Sequence, residues 1–245
     1  MAFIEIESRS ITLPFLLVGF KTYIRATGRG AVELAEVAEK VMQETGVCVV
    51  VSPQYTDIAP IAMATEVPIL AQHVDPIEPG NHTGHVLPEA LRYAGATGTM
   101  LNHSERRLGN ADLTPTLDGA RRAGLVTLVC AEGLEESRKI AGLGPGIILS
   151  ETPELIGTGR AISTTDPSVV SGTVEAVKAT NPDVVVICGA GITNGDDVMA
   201  AVRLGVVGVG AASAIIKAEE PYSIMHELAG ALADSYRGDK GPVRA

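Results

Sequence analysis

Glu151, His103 and Lys21 are the side chains in this 245-residue chain whose types and surroundings suit acid–base chemistry. Glu151 follows the apolar run 146–149 and precedes Pro153, a short amphipathic turn and Gly157-Thr158-Gly159. A carboxylate at a strand end beside a small-residue hinge suits a base next to a closing lid. Read alone, it equally suits a surface acid beside glycines that end a turn. His103 opens the polar cluster Asn102-His103-Ser104-Glu105-Arg106-Arg107 after the apolar run 97–101, and Lys21 follows the apolar run 14–20. Singly, these read as a satisfied loop histidine and a solvated lysine. Together, a base, an imidazole that polarises a carbonyl oxygen and a fixed cation can move a proton between adjacent carbons of a hydroxy-carbonyl compound.

Anion chemistry has its own candidates in Gly189-Ala190-Gly191-Ile192 and Gly210-Ala211-Ala212-Ser213. Small residues at strand-to-helix turns expose backbone N–H groups, which favour a phosphate. Either turn alone is also consistent with a tight connection and no ligand.

These residues must be positioned by the elements that precede them. The run 14–20 is too uniformly apolar for a half-exposed strand and predicts one buried on both faces. Residues 31–44 show helical spacing, and Gly46 stops that helix before the apolar run 47–51. The alternation continues with helices near 57–64, 88–93, 114–123, 134–141, 167–179, 195–204 and 222–236. Strands are expected at 67–72, 97–101, 125–130, 146–149, 184–188 and 206–210. Eight strands, each followed by a helix, predict an α/β fold with a closed parallel barrel in a single domain, with an arm at 1–12 and a frayed tail at 237–245. In such a barrel the strand ends share one mouth, which brings Lys21, His103, Glu151 and the two small-residue turns together.

Composition narrows the partners. Net charge is −10, from 19 Lys and Arg against 29 Asp and Glu, which opposes nucleic-acid and anionic-membrane binding while permitting a local pocket for a small anion. Aromatic residues are 3% of the chain and tryptophan is absent, so stacking platforms for single-stranded nucleic acid are not expected. Cys48, Cys130 and Cys188 are odd in number and widely spaced, which argues against a disulfide framework or a zinc site and for a reducing cytoplasm. No apolar run approaches the roughly 20 residues of a membrane span, and Glu5 and Glu7 stand where a signal peptide would be basic.

Several segments are long enough to suggest a family. Phe20-Lys21-Thr22-Tyr23, Ala71-Gln72-His73-Val74-Asp75-Pro76, Thr83-Gly84-His85-Val86-Leu87-Pro88-Glu89, His103 to Arg107 and Pro153 to Gly159 resemble the triosephosphate isomerase family, most closely its short archaeal-type branch. The resemblance runs over residues 15–232 and implies a (β/α)8 TIM barrel that interconverts D-glyceraldehyde 3-phosphate and dihydroxyacetone phosphate. It implies Glu151 as the base, His103 as the neutral electrophile, Lys21 as the electrostatic anchor and Glu105 as a support for the loop. Substrate contacts fall to Gly19, Lys21, Ile156, Gly157, Gly191, Ala212 and Ser213. It implies no metal or organic cofactor, and it places the His82 and His85 loop against a neighbouring subunit of a homodimer or homotetramer. Two residues depart from the family pattern. Gly19 stands where the family has asparagine, and Thr152 stands where it has proline. The alternatives are a related isomerase of a larger sugar phosphate, such as a tetrulose phosphate, and a binder without turnover.

Overall fold

Leucine, valine and isoleucine crowd the strand segments with little polar alternation, and they assemble as a parallel sheet covered on both faces. In this computed structural model, residues 9–109, 111–151, 161–189, 191–238 and 241–243 are described. The strands are β1 Phe15–Gly19, β2 Cys48–Ser52, β3 Leu70–Ala71, β4 Gly98–Leu101, β5 Val126–Glu132, β6 Ile147–Glu151, β7 Val185–Cys188 and β8 Gly208–Ala211. Apart from β2 and β3, sequence neighbours pair in parallel, and β8 pairs with β1. A parallel bridge from Val51 to Ile69 joins β2 to β3 and closes the ring.

The helices are α1 Arg29–Thr45, α2 Tyr55–Ala64, α3 Pro88–Tyr93, α4 Leu113–Arg122, α5 Gly133–Ala141, α6 Ile162–Thr165, α7 Pro167–Thr180, α8 Gly195–Arg203, α9 Ser213–Ile216 and α10 Pro221–Ser235. Helix α1 buries Ala31, Leu34, Ala35, Ala38 and Val41, the stripe that its three- and four-residue spacing creates. It ends where Gly46 adopts the left-handed conformation (φ 68°) and donates its N–H to Met42 O. Helix α8 starts at Asn194, whose side chain accepts from the Asp197 N–H.

The pleat divides the core in two. Phe15, Leu17, Cys48, Val50, Leu70, Met100, Leu128, Leu149 and Ile187 form the inner cluster. Leu16, Val18, Val49, Val51, Leu101, Val129, Ile148 and Val186 belong to the outer cluster with the helices. Each fully buried side chain of this size contributes about 1.5–3 kcal/mol from removal of apolar surface from water. Inward positions recur every second residue, so the last inward residues of the strands face the mouth.

The structure differs from the sequence-based expectations in three places. Strand β3 is two residues long rather than 67–72, because Pro68 has no N–H to give to a ladder and contributes only its carbonyl, to Val51 N–H at 3.0 Å. The short helices α6 and α9 lie between the expected elements. The tail is not frayed at 241–243, where Leu13 N–H donates to Gly241 O and Val243 N–H donates to Ile11 O. The arm is likewise tied down at Arg9, which donates to Ala62 O at 2.9 Å and pairs with Glu66.

Candidate active site

At the end of β4, Asn102 turns the chain with a φ of 61°, a conformation its short polar side chain tolerates. Asn102 Nδ2 donates to Cys130 O at 3.0 Å, and its Oδ1 accepts from Leu108 N–H at 3.1 Å. The amide thus ties the start of the following loop to its end. A second tie runs from Arg107 to Glu136 of α5, whose other carboxylate oxygen accepts from Glu132 N–H at 2.6 Å.

Within that braced loop, His103 Nδ1 accepts from the Glu105 N–H at 3.1 Å. An accepting Nδ1 carries no proton, so the ring is neutral with its hydrogen on Nε2. Nε2 lies 3.3 Å from Glu151 Oε1, across from β4 to the last residue of β6. Glu151 is only 6% exposed. Burial first, then the charge of the Glu151 carboxylate, push the Cys130 thiol of β5 well up from its ordinary range.

Lys21 has a φ of 48°, a left-handed geometry that costs an ordinary residue roughly 1–2 kcal/mol. Gln72 holds it there: one amide nitrogen donates to Lys21 O at 2.9 Å and to Ser52 O at 3.1 Å, clamping the ends of β1 and β2. Lys21 Nζ reaches Glu105 Oε1 at 2.7 Å. Glu105 is largely exposed, so this pair contributes about 0.2–1 kcal/mol to stability. Its geometric effect is larger, because Glu105 touches His103 through its backbone and Lys21 through its side chain.

The remaining wall comes from β7 and β8. Gly191 is left-handed (φ 76°), and Thr193 donates from both N–H and hydroxyl to Asp197 Oδ2, each at 3.0 Å. Ala212 and Ser213 open α9, whose first N–H groups have no acceptor within the helix. A cavity of about 500 Å³ joins these pieces and is lined by Gly19, Lys21, His103, Glu105, Glu151, Gly191, Ala212 and Ser213. Ile156, Gly157 and Thr152 lie outside the described residues. His82 and His85 are exposed away from this cavity, and no cluster fit to hold a metal occurs among the described residues.

Some residues of the mouth were missed in the sequence. Gln72 and Ser52 end β3 and β2, the two strand ends that carry no conspicuous charge or glycine turn. Gln72 closes the strand expected at 67–72 and follows the observed β3, so asking which residue closes every expected strand would have found it. On the same side, His73 Nε2 lies 3.1 Å from Asp75 Oδ1, and Val86 N–H donates to Asp75 Oδ2 at 2.6 Å. Burial lowers the His73 pKa, with the Asp75 hydrogen bond opposing.

With this geometry in place, comparison with known proteins is informative. The family model for triosephosphate isomerase matches residues 14–228. A triosephosphate isomerase of Methanobacterium bryantii is 45% identical over 215 residues, 88% of this chain and 95% of that protein. One from Methanocaldococcus jannaschii is 44% identical over 213 residues, 87% of this chain and 97% of that protein. The crystal structure of triosephosphate isomerase from Bartonella henselae superposes with a TM-score of 0.70 at 18% identity, covering 92% of this chain and 99% of that one, and so supports the fold.

Proposed function

Because the chain belongs to the triosephosphate isomerase family, we propose that it interconverts D-glyceraldehyde 3-phosphate and dihydroxyacetone phosphate through an enediolate. The observation that carries this reading is the approach of His103 Nε2 to Glu151 at 3.3 Å inside a cavity that Lys21 also lines.

The Glu151 carboxylate takes a proton from C1 of dihydroxyacetone phosphate. The C–H electron pair becomes the C1–C2 double bond, and the carbonyl pair moves onto the oxygen of C2. His103 donates its Nε2–H to that oxygen, and Lys21 lowers the energy of the charge that develops there. Protonation at C2 by the Glu151 carboxyl and return of the O1 proton to His103 Nε2 give the aldehyde and restore both side chains. Electrons balance within one molecule, so no redox partner enters. Glu105 supports both His103 and Lys21. Gly191, Ala212 and Ser213 hold the phosphate, together with Ile156 and Gly157; Gly19 forms the wall beside the reacting carbons.

Steady-state turnover of D-glyceraldehyde 3-phosphate, set beside tetrulose and pentulose phosphates with Glu151→Gln as the blank, tests this. The triose is expected to have the highest kcat/KM, and the variant is expected to lose roughly 10²–10⁴-fold, the usual contribution of a positioned base. Preference for a longer ketose phosphate, or turnover independent of Glu151, would contradict the assignment.

The working form is a homodimer or homotetramer. Ile24 is 88% exposed, and Met63 and Tyr93 are each 75% exposed, which is apolar surface that a second copy would cover. Sedimentation velocity should show no stable monomer; a monomer at micromolar concentration would refute this.

No helix among the described residues is long and apolar enough to cross a membrane. The free, buried cysteines support a reducing, cytoplasmic setting, which imaging of a fluorescent fusion checks.

A further inference from the structure

Strands β1 and β2 end side by side at the mouth, with Gly19 the register partner of Ser52. The positions two and four residues earlier on each strand, Leu17 and Phe15, Val50 and Cys48, belong to the inner cluster, so the pleat turns Ser52 inward. Both Gly19 and Ser52 line the cavity. Ser52 is 1% exposed, and its Oγ is buried with no hydrogen-bond partner among the described residues. A buried hydroxyl left in that state costs about 1–3 kcal/mol. Its backbone carbonyl is fully used, since Ser52 O accepts from Phe20 N–H and from Gln72 Nε2. The strand end is therefore fixed, while the hydroxyl makes no hydrogen bond that serves the fold among the described residues.

On the neighbouring strand, Gly19 leaves space. A Cβ placed at Gly19 meets Ala212 Cβ at 3.4 Å and Ala211 O at 3.9 Å, and no other atom among the described residues within 4 Å. Gly19 has no positive φ, so backbone conformation does not require glycine there. A side chain is absent from the wall where an unpartnered hydroxyl waits on the neighbouring strand.

We infer that Ser52 is a substrate-binding residue, whose hydroxyl hydrogen-bonds an oxygen of the sugar carbon chain, as distinct from its phosphate, on the wall that Gly19 leaves open. The inference rests on the isomerase reading for the identity of the ligand. Its energetic basis is separate, because a group unsatisfied in the free protein and satisfied in the complex favours binding at the expense of free-protein stability.

The test is Ser52→Ala, examined by triose kcat/KM, by calorimetric titration of glycerol 3-phosphate and by thermal midpoint. One net hydrogen bond corresponds to roughly a 2- to 12-fold effect, so kcat/KM and glycerol 3-phosphate affinity should each fall about 3- to 10-fold. The thermal midpoint should stay level or rise, because the variant deletes an unsatisfied buried group. Unchanged kcat/KM and affinity would overturn the inference, as would a midpoint that falls together with activity, which would mark a structural role. If the wild-type protein turned over no sugar phosphate, the isomerase reading would fail by itself. The glycerol 3-phosphate titration would then decide for or against Ser52.

Discussion

Gly19 is the residue through which the proposed substrate preference is most open to test. It stands two residues before Lys21 on the cavity wall, and its backbone conformation is open to any residue. Filling it should therefore change the pocket without breaking β1. Gly19→Asn is expected to shift the ratio of kcat/KM for triose over tetrulose phosphate toward the triose by about 10-fold, the range that one occupied or vacated group sets in a pocket. Parallel steady-state assays on the two sugars measure this, and an unchanged ratio would mean that the space at Gly19 is not used for discrimination. At this scale Glu151, His103 and Lys21 were proposed from polar residues at strand ends and Glu105 from the family resemblance, and all four line the cavity. Ser52 and Gln72 were not, since their importance lies in hydrogen bonds, one absent and two made, that residue type does not reveal.

The elements explain why the charged groups hold their geometry. Strand β4 delivers His103 through a loop closed by Asn102, β6 delivers Glu151, and Gln72 after β3 clamps β1 to β2. The segment after β3 also contains His73, buried against Asp75. Because burial lowers its pKa, the unfolded chain binds a proton below about 6.5 that the folded chain does not. The stability that the neutral ring allows is fully present above the unfolded value and is lost as pH falls through the lowered folded value. Asp75, whose pKa is lowered despite burial by the hydrogen bonds from Val86 and His73 and by the charges of His73 and Arg106, acts in the same direction only below its own ordinary value of 3.8. Thermal midpoints at pH 7 and pH 5 should therefore fall with acid for the wild type and fall less for His73→Gln. Equal acid sensitivity in the two proteins would remove His73 from this role. Neither the pair nor its burial could be read from the chain, because β3 has only two ladder residues and the loop after it has no period.

For the whole molecule, the regular alternation of apolar runs and helical spacing was enough to indicate the closed barrel. The bridge that closes it, residue 51 to residue 69, in which the Pro68 carbonyl accepts from Val51 N–H, was not foreseeable. Closure is what gives the strand ends a common mouth, and so brings Glu151 from β6, His103 after β4 and Lys21 after β1 to one cavity. The central claim is that Glu151 moves a proton, rather than that the barrel only binds a phosphorylated sugar. Isomerisation in D₂O, followed by proton NMR, tests it most directly. A carboxyl that holds the proton between the two carbons exchanges it with solvent, so deuterium should appear on the carbon that receives it, and Glu151→Gln should slow both conversion and labelling by roughly 10²–10⁴-fold. Conversion without any deuterium would indicate direct transfer between the carbons, and labelling that Glu151→Gln does not slow would show that another group is the base.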